Sequence, residues 1–265
     1  MPTTSTLPVG TRIGVPFARY WLRYAAPQAF FPVAGKLIPW LLGIALLLAA
    51  FGLYLGLLAA PPDRQQGDAY RIIFVHVPAA WLSMLIYVAM AFWATIGLVF
   101  NTRLSAMMAS ALAPSGALFT FLALWTGALW GRPTWGAWWV WDARLTSELL
   151  LLFLYLGFMA LQAALDDPRR ADRAGALLAL AGVVNVPVIY FSVQWWNTLH
   201  QGASLSSRGA SMAPIMLQAM LVMTMALWAY AIAAVLQRLR SIVLKRERHT
   251  AWVQAYLKEK QHDLG

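Results

Sequence analysis

The stretch LIPWLLGIALLLAAFGLYLGLLAA, residues 37–60, contains no charged residue and is long enough to cross a bilayer as a helix. Further apolar runs follow near residues 72–99, 107–130, 144–165, 174–195 and 213–236. The chain is 61% hydrophobic and only 11% charged, whereas about 25% of residues are charged in ordinary soluble domains. Because lipid offers the backbone no hydrogen-bond partners, the runs must be helices. The sequence therefore predicts an all-α polytopic membrane protein with six transmembrane helices.

This pattern divides the chain into three regions. Residues 1–36 form an amino segment, either cytoplasmic or lying in the membrane interface, and its pattern predicts that it is not cleaved. Residues 37–236 form the six-helix membrane domain, and residues 237–265 form a basic tail. The 265 residues include no Cys, which excludes disulfides, thiolate metal sites and a C-x-x-C-H motif. Any metal ligand must therefore be His or a carboxylate.

The net charge of +10 is divided unevenly between the two predicted sides of the membrane. Fifteen Lys and Arg residues lie in the amino segment, the second and fourth connections and the tail. The other side has five, namely Arg64, Arg71, Arg132, Arg144 and Arg208. Since Lys and Arg concentrate on the cytoplasmic side, both termini are predicted to be cytoplasmic. The same asymmetry explains the basic charge without a nucleic-acid partner.

The third connection contains the densest chemical signal, WGRPTWGAWWVWDARLTSELL from Trp130 onwards. Five of the chain's 14 tryptophans lie in it: Trp130, Trp135, Trp138, Trp139 and Trp141. Interspersed Gly and Pro residues predict a bent outer loop over residues 130–143. Clustered exposed aromatic side chains are typical of a binding surface, here one for a flat conjugated ligand. The alternative is an interfacial anchor, because Trp is enriched where helices leave the bilayer.

Two histidines are predicted to lie on the same side of the membrane as this loop. His76 is at the outer start of the second helix, and His200 follows the outer end of the fifth. Neutral imidazole is an iron ligand, so the pair is a candidate axial ligand set. The alternative is that each histidine is a polar residue satisfied within the fold. His249 and His262 lie in the tail and are expected to be solvated.

Charged residues near the loop have both structural and binding interpretations. Asp142 is expected to cap the fourth helix, and Arg144 and Glu148 have the spacing of a pair on one helical face. Arg132, Arg144 and Arg208 are candidates for holding carboxylates, because a guanidinium binds a carboxylate bidentately. Pairing between helices and contact with lipid headgroups are the alternatives. A flat, aromatic-stacking, iron-containing and doubly anionic ligand matches the description of haem.

The string from Trp130 resembles the tryptophan-rich WWD signature of the haem-handling membrane proteins of cytochrome c maturation. With six helices and a histidine on each side of the signature, nearly the whole chain is similar to the haem exporter protein C family. The resemblance implies that His76 and His200 bind the iron of haem b, and that the segment from Trp130 to Asp142 supports the ring. It also implies a bacterial inner-membrane protein with its site on the periplasmic side. The chain is too short for the larger haem lyases of this class.

The resemblance further implies a set of partners. Haem would pass to a periplasmic haem chaperone, which binds it covalently. The chain would act within an ABC-type complex of an ATPase, a membrane subunit and a small single-helix subunit, as a haem-binding and transfer subunit rather than a free-standing enzyme. From the residues alone, two other functions stay open. One is a bis-histidine membrane cytochrome, and the other is a scaffold subunit of a transporter whose loop anchors the bilayer.

Overall fold

The computed structural model describes residues 26–196, 198–200, 205–206 and 209–262. In this part of the chain six helical spans are long and apolar enough to cross a membrane, which confirms the predicted fold class. The helices are α1 (Pro27–Leu53, continued by a π-helical segment, Tyr54–Ala59), α2 (Ile73–Phe100, preceded by a 3-10 turn, Asp68–Ile72), α3 (Arg103–Trp135), α4 (Ala143–Ala164), α5 (Pro168–Gly182), α6 (Asn185–Trp195), α7 (Pro214–Arg246) and α8 (Ala251–His262). A two-stranded antiparallel hairpin pairs β1 (Leu205–Ser206) with β2 (Gly209–Ala210).

Several spans are longer than the apolar runs that predicted them. The first begins at Pro27 and the last ends at Arg246, so helical structure crosses both of the predicted region boundaries, at residues 36 and 236. Hydropathy detects only the part of a helix that suits the hydrocarbon core. The hydrogen-bond ladder continues beyond that core into polar surroundings. The fifth span is made of two helices, α5 and α6, which are joined at Val183 and Val184.

The spans do not all pack against their neighbours in sequence. α1 packs mainly against α7, whereas α2 packs mainly against α3, which also contacts α4. The largest buried cluster lies among α2, α3, α4 and α7. In the first span, by contrast, large apolar side chains such as Leu46, Leu47 and Leu58 are exposed. These side chains are suited to contact with lipid, because lipid tails are as apolar as leucine side chains.

The tryptophan-rich segment is more helical than the predicted loop over residues 130–143. α3 continues through Gly131 and Pro133 and ends only at Trp135. Gly136 then adopts a left-handed conformation with φ of 78°, which a residue with a side chain rarely takes. Pro133 has no N–H for the Leu129 carbonyl, and the hydroxyl of Thr134 donates to the neighbouring Trp130 carbonyl. The irregular connection is therefore restricted to residues 136–142.

A buried polar contact joins α2 to α4 within the membrane domain. The Ser83 hydroxyl donates to Glu148 Oε1 at 2.7 Å, and the Tyr155 hydroxyl donates to the Ser83 carbonyl at 2.8 Å. The predicted ion pair between Arg144 and Glu148 is wrong: no such pair forms among the described residues. α4 is rotated so that the carboxyl group faces α2 instead of the Arg144 guanidinium. Since Ser83 lies about two turns after His76, this contact also fixes the height of His76 relative to α4.

We expect Gly116→Ala to destabilise the protein strongly. A Cβ atom on Gly116 in α3 would overlap the ring of Tyr155, which is fully buried against it. Overpacking of this kind costs about 1–3 kcal/mol, which would lower the thermal unfolding midpoint of the purified protein. The matched control is Gly43→Ala in α1, because nothing lies within 4 Å of its added Cβ. Equal unfolding midpoints for the two variants would contradict the packing described here.

Candidate functional site

His76 lies in the first turn of α2 and is held by the end of α3. Its Nδ1 atom is 3.0 Å from the hydroxyl of Thr126. That hydroxyl donates its own proton to the Leu122 carbonyl at 2.6 Å, so it accepts from His76 Nδ1–H. The ring also meets the Trp130 indole edge to face at 5.6 Å. The ring is also within hydrogen-bonding range of the Ala123 carbonyl. Because Nδ1 carries the proton donated to Thr126, Nε2 carries the lone pair of the neutral ring.

His200 lies in the connection after α6 and is held by a carboxylate. Its Nδ1 atom is 2.9 Å from Asp142 Oδ2 and 3.1 Å from the Thr198 hydroxyl. Burial lowers the pKa of His200, and the charge of Asp142 only partly offsets this, so the ring is neutral at neutral pH. Nδ1–H then donates to the carboxylate and leaves the Nε2 lone pair free. This arrangement, a carboxylate orienting an imidazole, is the usual one behind a metal-bound histidine.

Asp142 has two functions at the start of α4. Its Oδ1 accepts the Leu145 amide at 2.8 Å, which confirms the predicted helix cap. Its Oδ2 faces His200. Burial by itself would raise the pKa of Asp142, but the Leu145 amide and His200 together bring it below its ordinary value. The side chain is therefore a carboxylate at neutral pH and remains a hydrogen-bond acceptor.

The five tryptophans fall into two groups. Trp130 and Trp135, on the last turns of α3, are each in contact with one histidine; the ring centroids of Trp135 and His200 are 4.7 Å apart. Trp138, Trp139 and Trp141 lie in the connection. Trp138 is 56% exposed and Trp141 is 79% exposed. Trp139 packs edge to face against Trp141 at 5.4 Å, and its buried indole N–H has no partner among the described residues. The connection thus presents an aromatic surface with one donor unsatisfied.

The three arginines named from the sequence have different surroundings. Arg132 is exposed and its guanidinium donates to the carbonyl of Gly136, the residue that ends α3. Arg144 is half-buried, 3.5 Å from the Ile189 carbonyl, and lies within electrostatic range of both histidines. Arg208 lies outside the described residues. Arg144 is therefore the cation that the fold places closest to the histidine pair among those the structure describes.

Several residues that support the site were not identified from the sequence. The Trp130 indole donates to Gln66 Oε1 at 2.7 Å, and its ring packs against Tyr70. Thr126 and Gly127 line the His76 ring from α3. Only Thr198 left a local signal, because a hydroxyl two residues before a histidine commonly bonds back to the chain. The others are distant in sequence from their partners and nothing in the pattern indicated them.

We expect Gly127→Ala to displace the His76 ring without unfolding the protein. An added Cβ would lie 3.1 Å from Cε1 of His76, so the ring must move by a few tenths of an ångström. That shift would lengthen the hydrogen bond to Thr126 and alter the absorption spectrum of any pigment bound through His76. The nearby control is Gly136→Asn, because no atom lies within 4 Å there and Asn tolerates a left-handed conformation. An unchanged spectrum in Gly127→Ala would contradict the contact.

The described residues fit haem better than a bare metal ion. No group of three or more His, Asp or Glu side chains able to hold a metal ion occurs in the described part of the chain. Haem needs only axial ligands, because its porphyrin supplies the other four. Two imidazoles whose Nδ1 atoms are engaged, an aromatic surface and the Arg144 cation within electrostatic range are present at one end of the bundle. This end is assembled from the first turn of α2, the end of α3, the start of α4 and the segment after α6.

Comparison with known proteins identifies the family of the chain. A family model described as "Heme exporter protein C" matches residues 20–254. The chain is 47% identical over 229 residues to Heme exporter protein C of Escherichia coli (strain K12), covering 86% of this chain and 93% of that protein. It is 48% identical over 223 residues to Heme exporter protein C of Bradyrhizobium diazoefficiens, covering 84% of both chains. A putative cytochrome c biosynthesis ccmC-like mitochondrial protein of Marchantia polymorpha is 48% identical over 171 residues. The chain therefore belongs to the Heme exporter protein C family.

Proposed function

We propose that the chain binds haem b through His76 and His200 and presents it for cytochrome c maturation. The principal support is the state of the two imidazoles. Each has its Nδ1–H engaged by an acceptor, Thr126 or Asp142, so that Nε2 carries the lone pair of the ring. Nothing in a purely structural role requires both rings to keep this nitrogen free. The printed names of the relatives, which describe a heme exporter, agree with this proposal.

In this proposal haem is the cargo, and the chain's residues bind and orient it. His76 and His200 supply axial nitrogens. Trp130 and Trp135 limit the rotation of the two imidazoles, and the exposed tryptophans of the connection cover the porphyrin and exclude water. Arg144, Arg132 and Arg208 are the candidates for the propionates. No residue is assigned a bond-making step, since the protein's part is to hold and place a cofactor.

The proposed partners follow from the family rather than from a contact in the structure. The receiver is a periplasmic haem chaperone. The chain acts beside an ABC transporter ATPase, a membrane subunit and a small single-helix subunit, in the bacterial inner membrane. The site then faces the periplasm, which is the side that carries only five Lys and Arg residues.

The decisive experiment is the absorption spectrum of the purified protein after expression with ample haem. A Soret band with the low-spin features of bis-imidazole ligation supports the proposal. Depletion of that band by apo-chaperone separates a transfer subunit from an electron-transfer cytochrome, which would retain its haem through repeated oxidation and reduction. A protein that inserts in the membrane and stays colourless favours the scaffold function and contradicts the proposal.

Reporter fusions are expected to place the connection over residues 136–142 outside and the one over residues 165–167 inside. The reason is the charge asymmetry, because Lys and Arg beside a span are retained in the cytoplasm. Alkaline phosphatase fused within residues 136–142 should be active, and the same enzyme fused within residues 165–167 should be inactive. A fusion after His262 serves as a further cytoplasmic control. The reverse pattern of activities would place the two histidines in the cytoplasm and contradict the proposed transfer.

A further inference from the structure

A cavity of about 530 Å³ lies at the end of the bundle opposite to His76 and His200. The end of α2, the start of α3, the end of α4 and the start of α5 surround it. Its floor consists of small or apolar residues, including Gly97, Ala106, Ala109, Phe158 and Ala176. Because small side chains leave space between the helices, the cavity extends from the polar rim towards the apolar interior.

Four arginines, Arg103, Arg169, Arg170 and Arg173, line the rim of this cavity. The two acids at the rim already have partners. Asp172 forms a bidentate pair with Arg246 at 2.7 and 2.8 Å, and Asp167 accepts the Arg169 amide at 2.8 Å as the cap of α5. Both acids are therefore occupied by groups that do not involve the Arg169 or Arg173 guanidinium. The rim keeps an excess of positive charge over the cavity.

Arg169 and Arg173 differ from the other two arginines of the rim. Arg103 lies 3.3 Å from Glu247, and Arg170 lies 3.8 Å from Asp167. Neither guanidinium of Arg169 and Arg173 has a partner in the described part of the chain. The two residues are one turn apart on α5, and like charges at this spacing disfavour a helix. An anion bound between them would remove that repulsion, and the amino end of α5 favours negative charge as well.

The general excess of basic residues on one side of a membrane protein explains why arginines occur here, but not why they converge on a cavity. Beside the cavity the surface is apolar: Val99, Phe100 and Leu177 are 61%, 70% and 61% exposed. An occupant must therefore combine an anionic group with apolar chains. Basic pockets between membrane helices commonly bind anionic lipid headgroups.

We propose that this cavity binds the phosphate headgroup of an anionic phospholipid. The phosphate lies between Arg169 and Arg173, and the acyl chains run along Val99, Phe100 and Leu177. The bound lipid would join the ends of α2 and α5, which approach each other around the cavity. This site is separate from the proposed haem site, so the two proposals stand or fall independently.

The test uses the full chain, purified in a neutral detergent and stripped of lipid. Short-chain phosphatidylglycerol is titrated while the thermal unfolding midpoint is followed, with phosphatidylcholine and inorganic phosphate as parallel probes. Phosphatidylglycerol should raise the midpoint in a saturable way, and the other two should not. The variant Arg169→Gln/Arg173→Gln should weaken binding of phosphatidylglycerol at least about tenfold, because both guanidinium groups that attract the phosphate are removed.

The matched control is Lys245→Gln/Lys258→Gln, which removes the same charge from exposed positions that do not line the cavity. It should change the affinity by less than about twofold. Three outcomes would overturn the proposal. They are a rise in the midpoint with phosphatidylcholine equal to that with phosphatidylglycerol, a rise with inorganic phosphate alone, and wild-type affinity for phosphatidylglycerol in the arginine variant. If lipid fails to bind and the arginine variant instead loses its association with partner subunits, the cavity is a protein interface and the lipid proposal is wrong.

Discussion

Replacing His76 or His200 with Ala is expected to lower the haem occupancy of the purified protein at least about tenfold. Loss of a residue that only supports a metal ligand already lowers metal affinity about 10–100-fold. Each substitution removes one of the two free Nε2 atoms and leaves the other in place. The haem that remains should show the spectrum of a single axial imidazole. Added imidazole should restore the low-spin spectrum, because the opposite ligand and the aromatic surface are unchanged. Absorbance per mole of protein measures both effects.

His249→Ala and His262→Ala are the controls, since His249 and His262 lie in the tail beyond the last span. Both should retain wild-type occupancy. The His76→Ala and His200→Ala proteins must also insert in the membrane and keep an unfolding midpoint close to that of the wild type, so that a loss of haem is not caused by misfolding. If haem occupancy were insensitive to His76 and His200, or equally sensitive to the tail histidines, the ligand assignment would be falsified.

Asp142→Asn is expected to lower haem affinity about 10–100-fold while leaving stability nearly unchanged. An Asn still caps α4 through its side-chain oxygen, so the Leu145 amide keeps its partner. Its amide nitrogen then faces His200 Nδ1, where two donors meet. The ring relieves that conflict by moving its proton to Nε2, and this removes the lone pair that would bind iron. Titration of the apo-protein with haem measures the loss.

Asp142→Ala separates the two functions of this residue. It should show the same loss of haem and, in addition, destabilise the protein by about 0.5–2 kcal/mol, the usual cost of a lost helix cap. The matched control is Asp167→Asn, which alters the capping carboxylate of α5 at the opposite end of the bundle. That variant should bind haem normally. An Asp142→Asn protein with wild-type affinity would show that the carboxylate does not set the tautomer of His200.

The six spans were predictable because each apolar run lies in lipid, where no water is available. The backbone must then form its own hydrogen bonds, and a helix satisfies them within one segment. The tryptophan segment was predictable only in part. Gly131 and Pro133 indicated a loop in the sequence, yet α3 continues through both and ends at Trp135. In the last turn of α3 a proline removes only one backbone hydrogen bond, so the helix continues through it. The strong terminator is Gly136, whose left-handed conformation was not distinguishable from the sequence alone.

The supporting residues of the site show a different limit. Parity of the membrane crossings placed His76 and His200 at one end, and the structure brings Trp130 and Trp135 to the same end. The contact of Trp130 with Gln66, however, joins residues 64 apart in sequence, and the rotation of α4 that turns Glu148 towards Ser83 depends on packing. Periodicity states which residues share a helix face, but it does not state which helix that face meets.

The two histidines differ in what has to move before each releases a ligand. His76 is part of α2, a helix of 28 residues, and its ring packs against Gly127 of α3. Withdrawal of the His76 ring from a ligand therefore requires movement of α2. His200 follows α6 in a non-helical connection, and its contacts in the described part of the chain are with the side chains of Thr198, Asp142 and Trp135, so its release needs only local rearrangement. We therefore expect a receiving protein to displace His200 first, while His76 keeps its bond until the new one has formed. The order of ligand exchange would then follow from the fact that His76 is fixed in a helix and His200 in a connection. The same difference would set the direction of transfer, towards the protein that displaces His200.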